Sequence, residues 1–263
     1  MPLPEWYIHA RLWVQPHAII EHPEWEASFD FHATLPFVFE KQKLLVMASP
    51  KAGITSISKW AFHNLGLLEA AMAHHRWIHK YRTDVYPQKF GVRKAFVRLL
   101  QDPETQIVKI IRNPHERLVS MFYHAVKHQL LPHLGDYHFT TFVQHLLQQP
   151  AKDPHLQPQF SLYEALIPNL KPTYIKLEAL ASGFQVLSER YGFSLLDPRM
   201  TESPHHIPKK NIQYQIPLHL VSGSMLLQDF PSNYSGFFSD EALNAEVQKL
   251  LALDLSHYGS LWN

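Results

Sequence analysis

Residues 46–60 read VMASPKAGITSISKW, and the fold turns on how this stretch is parsed. The apolar run Leu44–Ala48 has the length and composition of a buried strand. It stops at Ser49-Pro50-Lys51-Ala52-Gly53, a turn of small residues carrying one lysine. From Thr55 to about Leu68, the apolar residues Ile57, Trp60, Ala61, Leu65 and Leu68 recur at helical spacing. A turn from the end of a parallel strand into a helix points unpaired backbone N–H groups into the crevice beyond the sheet. The helix dipole adds positive potential at the same place. Gly53 removes a side chain where an anion must approach the backbone, Lys51 supplies a mobile charge, and Thr55 and Ser56 offer hydroxyls. The loop reads as a phosphate cradle, with a capped turn bearing a solvated lysine as the plain alternative. The nucleoside-triphosphate spelling G-x-x-x-x-G-K-[ST] is missing, since no Gly-Lys dipeptide occurs in the chain.

A second stretch, KIIRNPHERLVSMFYHAV (109–126), repeats the strand-to-helix layout. Gln106–Arg112 is β-branched and strand-like, and Pro114 suits an early helical position. Leu118, Met121, Phe122, Ala125 and Val126 then continue one helical face. TYIKL (173–177) reads as a further strand, and helices are expected at about 138–149, 157–167, 179–191 and 240–256. Residues 192–238 read as irregular. Strands alternating with helices predict an α/β fold: one domain over 44–263 with a central parallel sheet flanked by helices. Residues 1–43, rich in Pro and aromatics, are expected to pack on that core as irregular structure or short strands.

Composition narrows the function. With 24 Lys+Arg against 23 Asp+Glu, the formal charge of +1 gives no field for nucleic acid. The absence of cysteine excludes disulfides, thiolate zinc sites and cysteine nucleophiles. No charged-then-apolar leader opens the chain and no run approaches 18 apolar residues, so a cytoplasmic protein without stable membrane insertion is expected. Nineteen histidines include the i,i+4 pairs His75/His79 and His124/His128, but neither occurs as HExxH, and no metal is expected. Residues 80–98 carry six basic residues against the single acid Asp84, an excess that reads as anion steering or as a solvated helix face.

Together the two strand-to-helix elements resemble the sulfotransferase superfamily, which uses 3′-phosphoadenosine-5′-phosphosulfate (PAPS) on a P-loop-like fold. Pro50-Lys51-Ala52-Gly53-Ile54-Thr55-Ser56 is similar to that family's P-K-x-G-x-T-S loop for the 5′-phosphosulfate. Arg112-Asn113-Pro114-His115-Glu116-Arg117-Leu118-Val119-Ser120 is similar to its R-[DN]-P-x-x-R-L-x-S element, whose first Arg and Ser hold the 3′-phosphate. Asn113 stands where Asp is commoner. IHKYR (78–82), HLQPQF (155–160), YIKLEAL (174–180) and LLALDLSHYG (250–259) resemble, in order, segments of the carbohydrate sulfotransferase branch. The resemblance covers about 44–259.

It implies a donor site built from Lys51, Ala52, Gly53, Ile54, Thr55 and Ser56 at one end and Arg112 and Ser120 at the other. Two strand ends facing one crevice would clamp both phosphates, with the Arg112 fork bonding two oxygens. Lys209 and Lys210 are candidates to close over the nucleotide, and Arg117 reads as a structural ion-pair residue. The implied reaction transfers a sulfuryl group to a hydroxyl, expected on a carbohydrate, leaving adenosine 3′,5′-bisphosphate and needing no metal. Lys51 would stabilise charge on the bridging oxygen. His79 is the first candidate for the general base. His155 is the second, with positioning of the acceptor as its alternative role. A homodimer is compatible with the aromatic N-terminal segment. The competing readings are an atypical phosphotransferase using ATP–Mg and a non-catalytic nucleotide- or glycan-binding protein of the same fold.

Overall fold

Four strands form one open sheet in the order β1-β2-β3-β4, namely Phe37–Phe39, Leu44–Ala48, Gln106–Ile111 and Thr173–Lys176. The computed structural model describes residues 36–89, 91–149, 153–160, 164, 172–197 and 214–262, so the expectations for Lys209 and Lys210 lie outside the described residues. Strands β2, β3 and β4 are parallel, and β1 lies antiparallel on the edge. The chain is therefore α/β with a mostly parallel sheet. All five residues of β2 are buried, as its unbroken apolar run requires of a central parallel strand. β2 and β3 run in register, Leu44 opposite Gln106 and Ala48 opposite Ile110, so both strands end at the same edge.

All three parallel strands and both key helices fall where the sequence placed them. After β2 comes α1 (Ile54–Asn64), and after β3 a helix over Pro114–Lys127. The sheet itself reaches back into the segment expected to lie on the core, because Phe37–Phe39 pairs with β2. Between α1 and β3 lie α2 (Leu68–His74), α3 (Ile78–Asp84), α4 (Tyr86–Lys89) and α5 (Val92–Gln101). The helix over Pro114–Lys127 is α6, followed by α7 (Phe139–Gln148) and, after β4, α8 (Leu180–Tyr191). Then come α9 (Gly223–Gln228), α10 (Glu241–Leu250) and α11 (Ala252–Tyr258).

Backbone contacts divide the chain into two compact units, one within 1–111 and 161–204, the other within 112–160 and 205–263. The sheet belongs to the first. Its core is aromatic: Trp60, fully buried on α1, stacks on Phe184 of α8 with centroids 4.6 Å apart. The Phe193 ring meets the same indole edge-on at 5.3 Å. Lys109 of β3 is 1% exposed and ion-pairs with Glu164, which also accepts the Tyr174 hydroxyl. Arg82 is buried too, its guanidinium 5.1 Å from the Phe37 ring centroid. The basic excess of 80–98 is thus not wholly a solvated face.

The second unit is helical, and its core joins Phe122 of α6 to Phe139 and Phe142 of α7, with centroids 5.5 and 5.4 Å away. Three details depart from the sequence reading. Residues 157–160 are bends and irregular chain rather than helix, and the N–H groups of Gln159 and Phe160 donate to Asp254. The run expected as one helix over 240–256 is two, α10 and α11, meeting at Leu251. Within the stretch read as irregular, Ser222 caps the short helix α9. No helix among the described residues is long and apolar enough to cross a membrane.

Candidate functional site

The loop after β2 departs from ordinary backbone geometry. Lys51 has φ 67° and Gly53 φ 78°, two left-handed residues separated by Ala52. For lysine this region costs roughly 1–2 kcal/mol, because its Cβ crowds the following carbonyl. For Gly53 it costs little, and a Cβ there would sit 2.4 Å from Cδ1 of Leu177, so that side chain would have to shift. The Ala52 N–H donates to the Ser49 carbonyl at 3.2 Å, closing the turn, and Ala52 is fully buried. Left-handed residues alternating with others turn successive N–H groups toward one concavity, the geometry of an anion nest.

Helix α1 begins immediately after, and Gly53 offers it no side-chain cap. The start of a helix directs its first-turn N–H groups, here those of Ile54, Thr55 and Ser56, and its dipole toward the preceding loop. Thr55 Oγ1 lies 3.0 Å from Nε2 of His79 on α3. The structure thus brings Lys51, Ala52, Gly53, Ile54, Thr55, Ser56 and His79 together in the first unit. His79 does not share a helix with His75: the chain is extended at His75 (φ −160°, ψ 143°), which separates α2 from α3. The i,i+4 reading of that pair therefore fails, while His124 and His128 do meet, rings 4.4 Å apart.

At the end of β3 the chain passes straight into Arg112. Asn113 Oδ1 accepts the N–H groups of His115 (3.0 Å) and Glu116 (3.3 Å), so this residue is the N-cap of α6 and Pro114 its first residue. That explains why Asn serves where Asp is commoner: a cap needs only an acceptor oxygen. Arg112 is largely buried, with Nη2 3.6 Å from Glu116. Gln159, fully buried, grips the Arg112 backbone twice, accepting its N–H at 3.1 Å and donating to its carbonyl at 2.8 Å. Asp254 of α11 accepts the N–H groups of Gln159 and Phe160 at 3.0 and 2.9 Å. The same carboxylate stands 3.8 Å from Arg117, whose guanidinium also donates to the Gln157 carbonyl at 2.7 Å. Burial lowers the Arg117 pKa to about 10, and Asp254 opposes that shift. Arg117 is thus a buried ion-pair residue, and three of the motif segments meet in one network within the second unit.

Ser120 lies half-buried on α6, two turns beyond Arg112. Next to the start of α6 is a cavity of about 370 Å³ lined by His115, Glu116, Ser232, Asn233, Tyr234, Ser235 and Phe238. The His115 ring meets Phe238 edge-on at 5.2 Å, and burial holds its pKa below the ordinary histidine value. Residues 232–238 escaped the sequence reading. Tyr234, Phe237 and Phe238 were the aromatic signals there, in a stretch without period.

His155 belongs to the second unit. Its Nδ1 is 2.8 Å from Asp153 Oδ1, and that contact, the largest cause, holds the Asp153 carboxyl below the usual carboxylate range. The Asp-Pro-His spelling could have signalled the pair. No family model, no curated protein and no solved structure matches the chain.

Proposed function

We propose that this protein is a sulfotransferase of P-loop-like fold that moves a sulfuryl group from PAPS to a hydroxyl, on a carbohydrate. The observation that carries the reading is the loop Lys51–Gly53: two left-handed residues, an uncapped helix start, and His79 hydrogen-bonded to Thr55. The loop would take the 5′-phosphosulfate on its N–H groups, and Arg112 with Ser120 the 3′-phosphate. The cavity beside His115, with Tyr234 and Phe238 in its lining, is where the adenine would lie.

The acceptor oxygen attacks sulfur in line with the bond to the bridging oxygen. As that bond breaks, its electron pair stays on the bridging oxygen, and Lys51 stabilises the charge growing there. His79 takes the acceptor proton. The products are a sulfate ester and adenosine 3′,5′-bisphosphate. A sulfuryl group carries less charge than a phosphoryl group, so the transfer needs positioning and fixed charge rather than a divalent ion.

The test is transfer of labelled sulfate from PAPS to a panel of glycans, followed by single-turnover rates across pH. The wild-type rate should rise with pH through the histidine range, because only neutral imidazole accepts a proton. His79→Ala should flatten that limb and lower the rate roughly 10²–10⁴-fold, leaving donor binding intact. A limb that survives in His79→Ala and vanishes in His155→Ala would assign the base to His155, whose contact with Asp153 already orients its ring. Phosphate transfer from ATP–Mg, with none from PAPS, would overturn the reading.

A further inference from the structure

The histidine-rich end of α6 has no step in the proposed transfer. His124 lies in the last turn of that helix, and Asp153 opens the short 3-10 turn Pro154–Leu156. Asp153 Oδ1 accepts the backbone N–H of His155 at 2.7 Å and stands 2.8 Å from its Nδ1. The His155 ring stacks on His124 with centroids 4.2 Å apart. One ligand-capable atom each from His124, Asp153 and His155 lies within 4.8 Å of the other two, and all three residues are half-buried. We propose that His124, Asp153 and His155 bind a divalent transition-metal ion of the zinc class.

The donor set decides the class of ion. Two imidazole nitrogens and one carboxylate oxygen suit zinc, cobalt or nickel, whereas magnesium and calcium prefer oxygen throughout. Bonds of about 2.0–2.2 Å at tetrahedral angles place neighbouring ligand atoms about 3.3–3.6 Å apart. Asp153 Oδ1 and His155 Nδ1, 2.8 Å apart, open by roughly half an ångström or slightly more to reach that spacing. A shift on the order of 1 Å, within reach of a side-chain rotation, brings His124 in. The ion takes the place of the hydrogen bond between Oδ1 and Nδ1, the neutral imidazole then carrying its one proton on Nε2, and water completes the coordination. His128 packs against His124 but is outside the mutually close set. This site shares His155 with the sulfotransferase reading, and a metal on His155 leaves proton transfer to His79.

The experiment uses the full chain freed of metal by chelator and titrated with Co²⁺ in the visible range, with Zn²⁺ in competition. One equivalent should bind at micromolar concentration or below, with the absorption of a low-coordinate cobalt centre, and Zn²⁺ should displace it. His124→Ala and Asp153→Ala should each weaken binding by at least about tenfold. His133→Ala should not, although its ring lies only 4.9 Å from His145, because that pair has no carboxylate in the metal-capable set. Zinc-induced shifts of the His124 and His155 imidazole resonances in the wild-type chain give a readout that needs no variant. Absence of saturable binding, or affinity unchanged in His124→Ala and Asp153→Ala, would overturn the proposal.

Discussion

At the scale of single residues, Lys51 is the position where conformation and chemistry oppose each other. A lysine at φ 67° is strained, and glycine would relieve the strain. Lys51→Gly should therefore exceed Lys51→Ala in stability by about 1 kcal/mol in urea unfolding. Both variants should lose roughly two orders of magnitude in sulfate transfer, the effect of removing one preorganised transition-state donor. A Lys51→Gly variant that kept wild-type turnover would show that the lysine is there for packing. Gly53 was readable from the sequence as a small residue near an anion. Its second constraint, the Leu177 side chain after β4, was not, because 124 positions separate them in the chain.

At the scale of elements, the buried network around α6 makes the sharper claims. Asp254→Ala would leave Arg117 buried without its carboxylate and the Gln159 and Phe160 N–H groups without their acceptor. Loss of roughly 3–5 kcal/mol in chemical denaturation is expected. Adding Arg117→Met should recover part of it, since the stranded charge then goes too. The start of α6 also sets a pH dependence. Burial keeps the His115 pKa below its ordinary 6.5, so below that pH the unfolded chain binds the proton more readily. Stability should be fully present above 6.5 and fall as pH drops through the folded value, and His115→Gln should shallow the decline. His145, lowered by burial and by neighbouring His133, adds to the same slope. An unchanged slope in His115→Gln would assign the whole effect elsewhere. The helix itself was legible from Pro114 and the apolar spacing. The Asn113 cap was readable in principle, whereas the Gln159 and Asp254 contacts span sequence separations of 47 to 95 and leave no local trace.

At the scale of the molecule, the parallel sheet was legible because β2 and β3 are apolar runs ending in turn chemistry. A short strand before β2 was among the expectations, but the place of β1 in the sheet was hidden, as three residues among prolines and aromatics carry no period. The break at His75 was hidden as well, since no Gly or Pro marks it. Thr55 and His79 lie 24 positions apart, so the fold had to bring them together. The central claim concerns the donor: a nucleotide carrying a 3′-phosphate, recognised through Arg112 and Ser120. Thermal unfolding of the full chain with adenosine 3′,5′-bisphosphate, with 5′-AMP and with ATP–Mg tests it most directly. At about 100 times its dissociation constant, the bisphosphate should stabilise by roughly 2.7 kcal/mol. At the same concentration 5′-AMP should give a much smaller shift, and Arg112→Ala should abolish the difference by weakening the bisphosphate by roughly 1.5–3 kcal/mol. Equal stabilisation by the bisphosphate and 5′-AMP, or a larger shift with ATP–Mg, would contradict the account.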